Sequence, residues 1–100
     1  MAIGAFPLRR AVTVRLPVRL GSDLERGKKL VVGVAEESTF RLAERPVTVH
    51  VTDVTQDRVE LQVTVWGADS ASAKELASDV RERALTALGN EGLLPGSANG

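Results

Sequence analysis

The spacing of hydrophobic positions along the chain predicts five elements. Apolar side chains occupy every second position over residues 10–20, 47–54 and 58–66, which is the period of strands with one buried face. A stripe with the 3.6-residue period of an α-helix covers residues 22–37, and a second stripe covers residues 70–88. The predicted order is therefore β-α-β-β-α.

Three amphipathic strands and two amphipathic helices bury their apolar sides in two layers, with both helices on one face of the sheet. Right-handed connections place the third strand between the first and the second. The predicted fold class is α+β, a ferredoxin-like sandwich with sheet order 1-3-2 that lacks the usual fourth strand. Pro17 has no N–H to give to a neighbouring strand, which favours an edge position for the first strand. One domain is expected over residues 8–95, with flexible ends at 1–7 and 96–100.

The second and third strands are predicted to form a hairpin. Their alternation restricts its register, because inward-facing residues must oppose one another. A loop at residues 55–57 satisfies this condition, and a bulge would shift it. The register pairs Val49 with Val63, Val51 with Leu61, His50 with Gln62 and Thr52 with Glu60.

Polar residues ahead of the first helix predict how it begins. Ser22 and Glu25 have the spacing of a capping box, and Asp23 with Arg26 also fits a helix start. Gly27 inside this helix costs about 1 kcal/mol relative to alanine. Either close packing or a tolerated weakness is expected there.

Composition narrows the possible chemistry. The chain has 100 residues, no cysteine and one histidine, so thiolate chemistry and a His-rich metal site are excluded. Thirteen basic residues balance thirteen acidic ones, so the net charge does not indicate nucleic-acid binding. There is no phosphate-binding glycine-rich loop and no Ser-His-Asp set, and Asp23 stands where an anion loop before the first helix would need an arginine. We therefore expect no enzyme activity, no cofactor and no small-molecule substrate.

The order and spacing of several segments resemble a known family. Arg9-Arg10 precedes the first strand, and Gly-Ser-Asp-Leu-Glu-Arg follows it at residues 21–26. The hairpin opens at Pro46 and closes at Trp66, and Gly-Leu-x-Pro stands after the second helix at residues 92–95. Over about residues 8–95, this arrangement resembles the C-terminal cytoplasmic α/β domain of the small-conductance mechanosensitive channel family (MscS-like channels). The shared order of the motifs carries the resemblance, since none of them is specific by itself.

The resemblance implies a homoheptameric channel that relieves osmotic stress. Its α/β domains form the lower wall of a hollow cage on the cytoplasmic side of the cell membrane, so the role implied for this chain is structural. Three departures stand out: the pore helices and β-domain are absent, Gly27 replaces a better helix former, and the chain stops soon after Pro95, where the family continues into a closing strand. The chain is interpreted as an excised domain or as a stand-alone relative.

By itself, the chain is expected to be soluble and to be a monomer or weak dimer. Its apolar runs are far shorter than the roughly 20 residues of a membrane span. The partners implied by the resemblance are further copies of the same subunit and the remainder of the channel in the membrane.

Four residues are candidates for contacts between subunits: Arg15, Arg19, His50 and Trp66. Residues 8–29 carry seven positive side chains against two negative ones, and the rest of the chain is net acidic. Arg15 and Arg19 could therefore align one subunit against the next through complementary charge. The alternative is that both side chains are solvated at the strand edges or contact oppositely charged neighbours. His50 is predicted to be an ordinary strand residue on the open sheet face. This interpretation is favoured over a role in pH sensing or metal ligation, because the chain has no second histidine and no cysteine.

For Trp66, two interpretations stay open. It could anchor a subunit contact, or it could pack against the tail or the connection at residues 38–45. In that connection Phe40 and Leu42 are expected to tuck under the core. A nucleic-acid-binding face would need aromatic side chains for base stacking, and the strands carry only Trp66, so no nucleic-acid partner is expected.

A second class of function stays open, a free-standing ferredoxin-like module. Such a module could bind a protein through its open edge strand or a small ligand on its open face. Asp53, Asp57 and Glu60 cluster at the hairpin, and carboxylates can bind a divalent cation. Turn chemistry explains Asp57 equally well, so no metal is predicted.

Overall fold

The computed structural model describes residues 9–96, which form three strands and two helices. The strands are β1 (Arg10–Arg19), β2 (Thr48–Val54) and β3 (Arg58–Gly67), and the helices are α1 (Leu24–Glu36) and α2 (Ser70–Asn90). Every boundary lies close to the one predicted from hydrophobic spacing. The flexible ends predicted at 1–7 and 96–100 lie outside the described residues, apart from Gly96, which is in a turn.

β3 lies between β1 and β2 and runs antiparallel to both, so the sheet order is β1-β3-β2. Both helices contact the same face of this sheet and each other. The predicted α+β class, element order and sheet order are therefore confirmed.

The hydrogen bonds of β1 alternate between its two sides. The N–H of Leu20 donates to the carbonyl of Asp57 at 3.2 Å and continues the ladder with β3, whereas the N–H of Arg19 donates away from the sheet, to the carbonyl of Leu93 at 2.6 Å. Even-numbered residues of β1 thus bond to β3, and odd-numbered residues turn their N–H and C=O outward. Pro17 is odd-numbered, so its missing N–H costs no bond within the sheet. β1 is an edge strand, as Pro17 predicted.

The core lies between the helices and the inward-facing side of β1 and β3. Burying a valine or leucine side chain fully contributes roughly 1.5–3 kcal/mol, so this layer supplies most of the stabilisation. Its fully buried members include Val14, Leu16, Val18, Val31, Leu61, Val63, Val65, Leu76, Val80 and Leu88.

The hairpin register agrees with the prediction over most of its length and departs from it at one residue. Val49 opposes Val63, His50 opposes Gln62 and Val51 opposes Leu61. The predicted pairing of Thr52 with Glu60 is wrong, because a bulge between Val51 and Asp53 brings Asp53 opposite Glu60 instead. Two residues of β2 then oppose one of β3, which keeps Val54 on the inward face opposite Val59.

Only part of β2 is covered by the helices. Val49 is half-buried, but Val51 is 38% exposed and Val54 is 59% exposed. The reason is that α1 packs mainly against α2 and touches β2 only slightly.

In the connection before β2, Leu42 is half-buried, whereas Phe40 is 40% exposed and does not tuck under the core as predicted.

Asp23, and not Ser22, caps α1. The Asp23 carboxylate accepts a hydrogen bond from the N–H of Arg26 at 3.1 Å. The predicted capping box of Ser22 and Glu25 is wrong, because the hydroxyl of Ser22 donates instead to the carbonyl of Arg19 at 2.6 Å. Ser22 therefore closes the turn after β1.

Two glycines meet very different surroundings. A Cβ at Gly67, the last residue of β3, would lie 2.7 Å from the backbone nitrogen of Ala73 in α2. Backbone atoms cannot move aside as a side chain can, so glycine sets how closely β3 and α2 approach. A Cβ at Gly27 would lie 3.7 Å from the methyl groups of Val18, which is an ordinary contact distance. Gly27 is thus a tolerated weakness of α1 and is not required by close packing.

Candidate interaction surface

The sheet face opposite the helices carries a row of polar side chains. Arg15 of β1, Gln62 of β3 and His50 of β2 lie side by side across the three strands. Arg15 and His50 are exposed and Gln62 is half-buried. No helix of residues 9–96 packs on this face, so the sheet brings together two of the four candidate residues in a position to contact another molecule.

Arg19 does not belong to this surface. Its guanidinium donates to the carbonyl of Gly92 at 3.1 Å, and its backbone N–H donates to the carbonyl of Leu93. Its Nε atom is buried and has no hydrogen-bond partner among the described residues. The side chain turns around the edge of the sheet and fixes the turn after α2, which is a structural role within the chain.

Trp66 packs against the connection between α1 and β2. The guanidinium carbon of Arg45 lies 4.7 Å from the centroid of the indole ring, within the range of a cation–π interaction. The N–H of Leu42 donates to the carbonyl of Trp66 at 2.7 Å. Of the two interpretations of Trp66, packing against the connection at residues 38–45 is present, and the indole is half-buried.

Some basic residues of the N-terminal third form ion pairs with acidic residues of the same chain. Arg9 lies 3.0 Å from Glu44, and Arg26 forms an ion pair with Glu91 at the end of α2. Both pairs join the basic third to the acidic remainder. Because these pairs are exposed, each contributes little stability, about 0–1 kcal/mol. Intramolecular pairing thus accounts for part of the charge asymmetry.

The three carboxylates of the hairpin accept hydrogen bonds from different partners. Asp53 accepts a hydrogen bond from the N–H of Val54 at 2.9 Å, and Glu60 accepts one from the hydroxyl of Thr52 at 3.4 Å. Asp57 accepts hydrogen bonds from the side chains of Arg58 and Thr55, which lower its pKa below the usual value. Nowhere in residues 9–96 do three potential metal-ligating side chains gather at one point.

A polar contact between the connection and α2 was missed by sequence reasoning. The hydroxyl of Ser38, a buried residue, donates to the carboxylate of Asp79 at 2.7 Å, and Arg83 donates to the same carboxylate at 2.9 Å. The Ser38 hydroxyl, followed by Arg83, lowers the pKa of Asp79 in spite of partial burial. The helical spacing of Asp79 and Arg83 is visible in the sequence, but nothing local points to Ser38.

A second surface runs along the outer edge of β1. It is a groove of about 580 Å³ between the strand and the first turns of α2. Its floor is apolar and its rim is basic, and none of the residues lining it is acidic. The residues that define this edge groove are Arg10, Val12, Ala73, Lys74, Ala77 and Arg81.

The geometry of both surfaces suits contact with another macromolecule. The row on the open face is polar and is not covered by either helix, and the edge groove lies beside an unpaired strand edge. Neither a protein-family model nor a curated protein matches the chain. Within residues 9–96, neither helix has the length and hydrophobicity to cross a bilayer.

Proposed function

We propose that this chain is a non-catalytic assembly domain, the cytoplasmic α/β wall domain of a small-conductance mechanosensitive channel. The sequence resemblance over about residues 8–95 is the reason for proposing this channel family. The structural observation that supports the proposal is the row of Arg15, Gln62 and His50 on the open sheet face. An uncovered polar surface of this kind can be shared by neighbouring copies in a ring.

In this proposal the domain does no chemistry. It walls the cage and holds neighbouring subunits in register, while permeation and gating belong to the remainder of the channel in the membrane. Of the four candidate interface residues, Arg15 and His50 would face a neighbour. Arg19 would not, since its guanidinium is used inside the subunit. Trp66 would contribute only the part of its ring that Arg45 leaves uncovered.

Fractionation of the source cells tests the proposal directly. An antibody raised against residues 9–95 should detect a band several times larger than 10.7 kDa in the membrane fraction. A single band of 10.7 kDa in the soluble fraction would refute the channel assignment. The result does not depend on how the fragment behaves in isolation.

Cross-linking tests the surface named in the proposal. These 100 residues contain no cysteine, so a thiol introduced here reports one position of the domain, and the product without the introduced cysteine is the blank. In the native product, His50→Cys should give cross-linked species of up to seven subunits with a short bis-maleimide. Glu82→Cys, at an exposed position of α2 on the opposite layer, is the matched control and should give none.

One observation favours a second candidate, a free-standing ferredoxin-like binding module. The edge groove has about 580 Å³ of space, which falls within the size range of ligand sites. A thermal-shift screen against metabolites distinguishes the two candidates, since a ligand at 100 times its Kd stabilises by about 2.7 kcal/mol. A wall domain should give no hit, whereas a small-ligand module should give at least one.

A further inference from the structure

The outer edge of β1 presents backbone groups that the sheet does not use. Because odd-numbered residues turn outward, the N–H groups of Ala11, Thr13 and Arg15 point away from β3. No backbone group within residues 9–96 bonds to them from outside the sheet. Unpaired edge groups of this kind are a template for one more strand.

The turn after α2 meets this edge at Arg19, the last residue of β1. The carbonyl of Leu93 accepts the hydrogen bond from Arg19, which is how a fourth strand paired with β1 would begin. The chain then enters a turn at residues 94–96 and forms no strand there. The position beside residues 11–16 of β1 is left open by the described part of the chain.

The edge groove lies beside this open position and has a defined charge. Lys74 and Arg81 line its α2 side and Arg10 lines its β1 side, with no carboxylate among the lining residues. Lys74 and Arg81 are seven residues apart on one helix, which corresponds to about 10 Å. On one face of an extended strand, residues i and i+2 lie about 7 Å apart and residues i and i+4 about 13 Å apart, and the long Lys and Arg side chains can reach carboxylates at either spacing. A strand with acidic side chains on its helix-facing side could therefore pair with both cations.

We propose that this edge binds a short, extended, acidic segment of another protein, which adds to the sheet as a fourth strand beside β1. The backbone ladder would supply the affinity, and the carboxylates facing Arg10, Lys74 and Arg81 would supply the specificity. Pro17 has no N–H, and Arg19 is already bonded to Leu93, so the ladder is limited to residues 11–16. The bound segment is therefore only about five residues long. The inference stands on the outer edge of β1 and the groove beside it and does not require the channel assignment.

Two other occupants fit less well. A second copy paired β1 to β1 would bring its own Arg10, Lys74 and Arg81 to the same place, which sets like charges against each other. Nucleic acid would match the charge, but no aromatic side chain lines the groove for base stacking, and phosphates would leave the strand edge without a ladder.

Fluorescence anisotropy with a labelled peptide of alternating valine and glutamate tests whether the edge groove prefers acidic segments. The peptide should bind, and its lysine-for-glutamate counterpart should not. Arg81→Glu should weaken binding about fivefold, as expected for reversing one exposed charge. Lys29→Glu, an equal charge change on the exposed side of α1, should change the Kd by less than about twofold.

The backbone ladder is tested by amide exchange and by proline. Peptide binding should slow the exchange of the amides of Ala11, Thr13 and Arg15, whereas those of Val12 and Val14 are already slow in the free protein. Thr13→Pro removes one outward N–H and should abolish binding, while Thr13→Val keeps the N–H and should bind. Circular dichroism checks that the proline variant is folded, and Arg81→Glu tests the proposal independently if it is not.

Four results would overturn the inference. The first is no binding of the acidic peptide, and the second is binding that leaves the odd-numbered amides of β1 unprotected. The third is protection of those amides in the free protein together with a dimer mass by light scattering, which would assign the edge to a second copy. The fourth is tighter binding of a labelled single-stranded oligonucleotide than of the peptide. None of these results bears on the membrane fractionation, so the two proposals fail separately.

Discussion

The backbone N–H of Arg19 donates to the carbonyl of Leu93 at 2.6 Å, and this bond ties the end of β1 to the turn after α2. The guanidinium of the same residue reaches the neighbouring carbonyl of Gly92 at 3.1 Å. One residue thus joins the two ends of the fold, which are 73 positions apart along the chain. The role of Arg19 is therefore to hold the fold together, whereas Arg15, four residues earlier, faces outward.

Removing these two arginines should have different effects. Arg19→Ala loses the hydrogen bond to Gly92 and the packing of the side-chain stem, so it should lower the free energy of unfolding by about 1 kcal/mol. Arg15→Ala should change it by less than about 0.5 kcal/mol, because that side chain is exposed. Urea denaturation of both variants measures the difference. Equal stability of the two variants would contradict the structural role of Arg19.

Alanine substitution at glycines should change stability in opposite directions. Gly67→Ala forces a Cβ to within 2.8 Å of backbone atoms of Ala73, so it should destabilise the fold by roughly 1–3 kcal/mol. Gly27→Ala places its Cβ at an ordinary contact distance from Val18 and should stabilise by up to about 1 kcal/mol through helix propensity. Gly33→Ala in the same helix meets nothing within 4 Å and is the control for propensity alone. A destabilised Gly27→Ala would mean that α1 and β1 pack more tightly than described.

The contact of Ser38 with Asp79 predicts a dependence of stability on pH. The pKa of Asp79 is lowered from its ordinary value of 3.8, so its stabilisation is fully present above that value and is lost as the pH falls through the folded-state pKa. Ser38→Ala should therefore cost about 1 kcal/mol at pH 7 and less at an acidic pH that protonates the carboxyl group of Asp79 in the folded state. Thermal unfolding at both pH values checks this.

Ser78→Ala is the control for that measurement. It makes the same substitution at an exposed position of α2, next to Asp79, and should change stability by less than about 0.5 kcal/mol at either pH. If Ser38→Ala has the same effect at both pH values, the hydroxyl does not act through the ionised carboxylate.

The cation–π contact predicts a change in the fluorescence of the one tryptophan in the chain. Arg45→Ala uncovers the indole of Trp66, so its emission should shift to the red and acrylamide should quench it more strongly. The loss in stability should be about 0.5–1 kcal/mol, as for cation–π pairs at exposed sites. Arg58→Ala, at the other end of β3, is the control and should leave the emission unchanged. Unchanged emission of Arg45→Ala would mean that the guanidinium does not cover the ring in solution.

The sequence predicted most residues of the candidate surface, but it did not predict which of them lie together on one face. Alternation placed Arg15 and His50 on the open face, because side-chain direction in a strand depends only on position parity. It also placed Arg19 there, but an edge residue can send a long side chain around the strand, and the carbonyl of Gly92 draws Arg19 away. Parity along one strand contains no information about such a distant partner.

The sequence by itself determined the elements, their order and the inward face of each strand, because hydrophobic spacing is a local property that every segment carries. The tertiary structure alone decided the bulge at Thr52, the covering of Trp66 by Arg45, and the contact of Ser38 with Asp79, which are 41 positions apart. These features depend on which surfaces meet after folding. The edge groove has the same origin, since it exists only where α2 lies beside the unpaired side of β1.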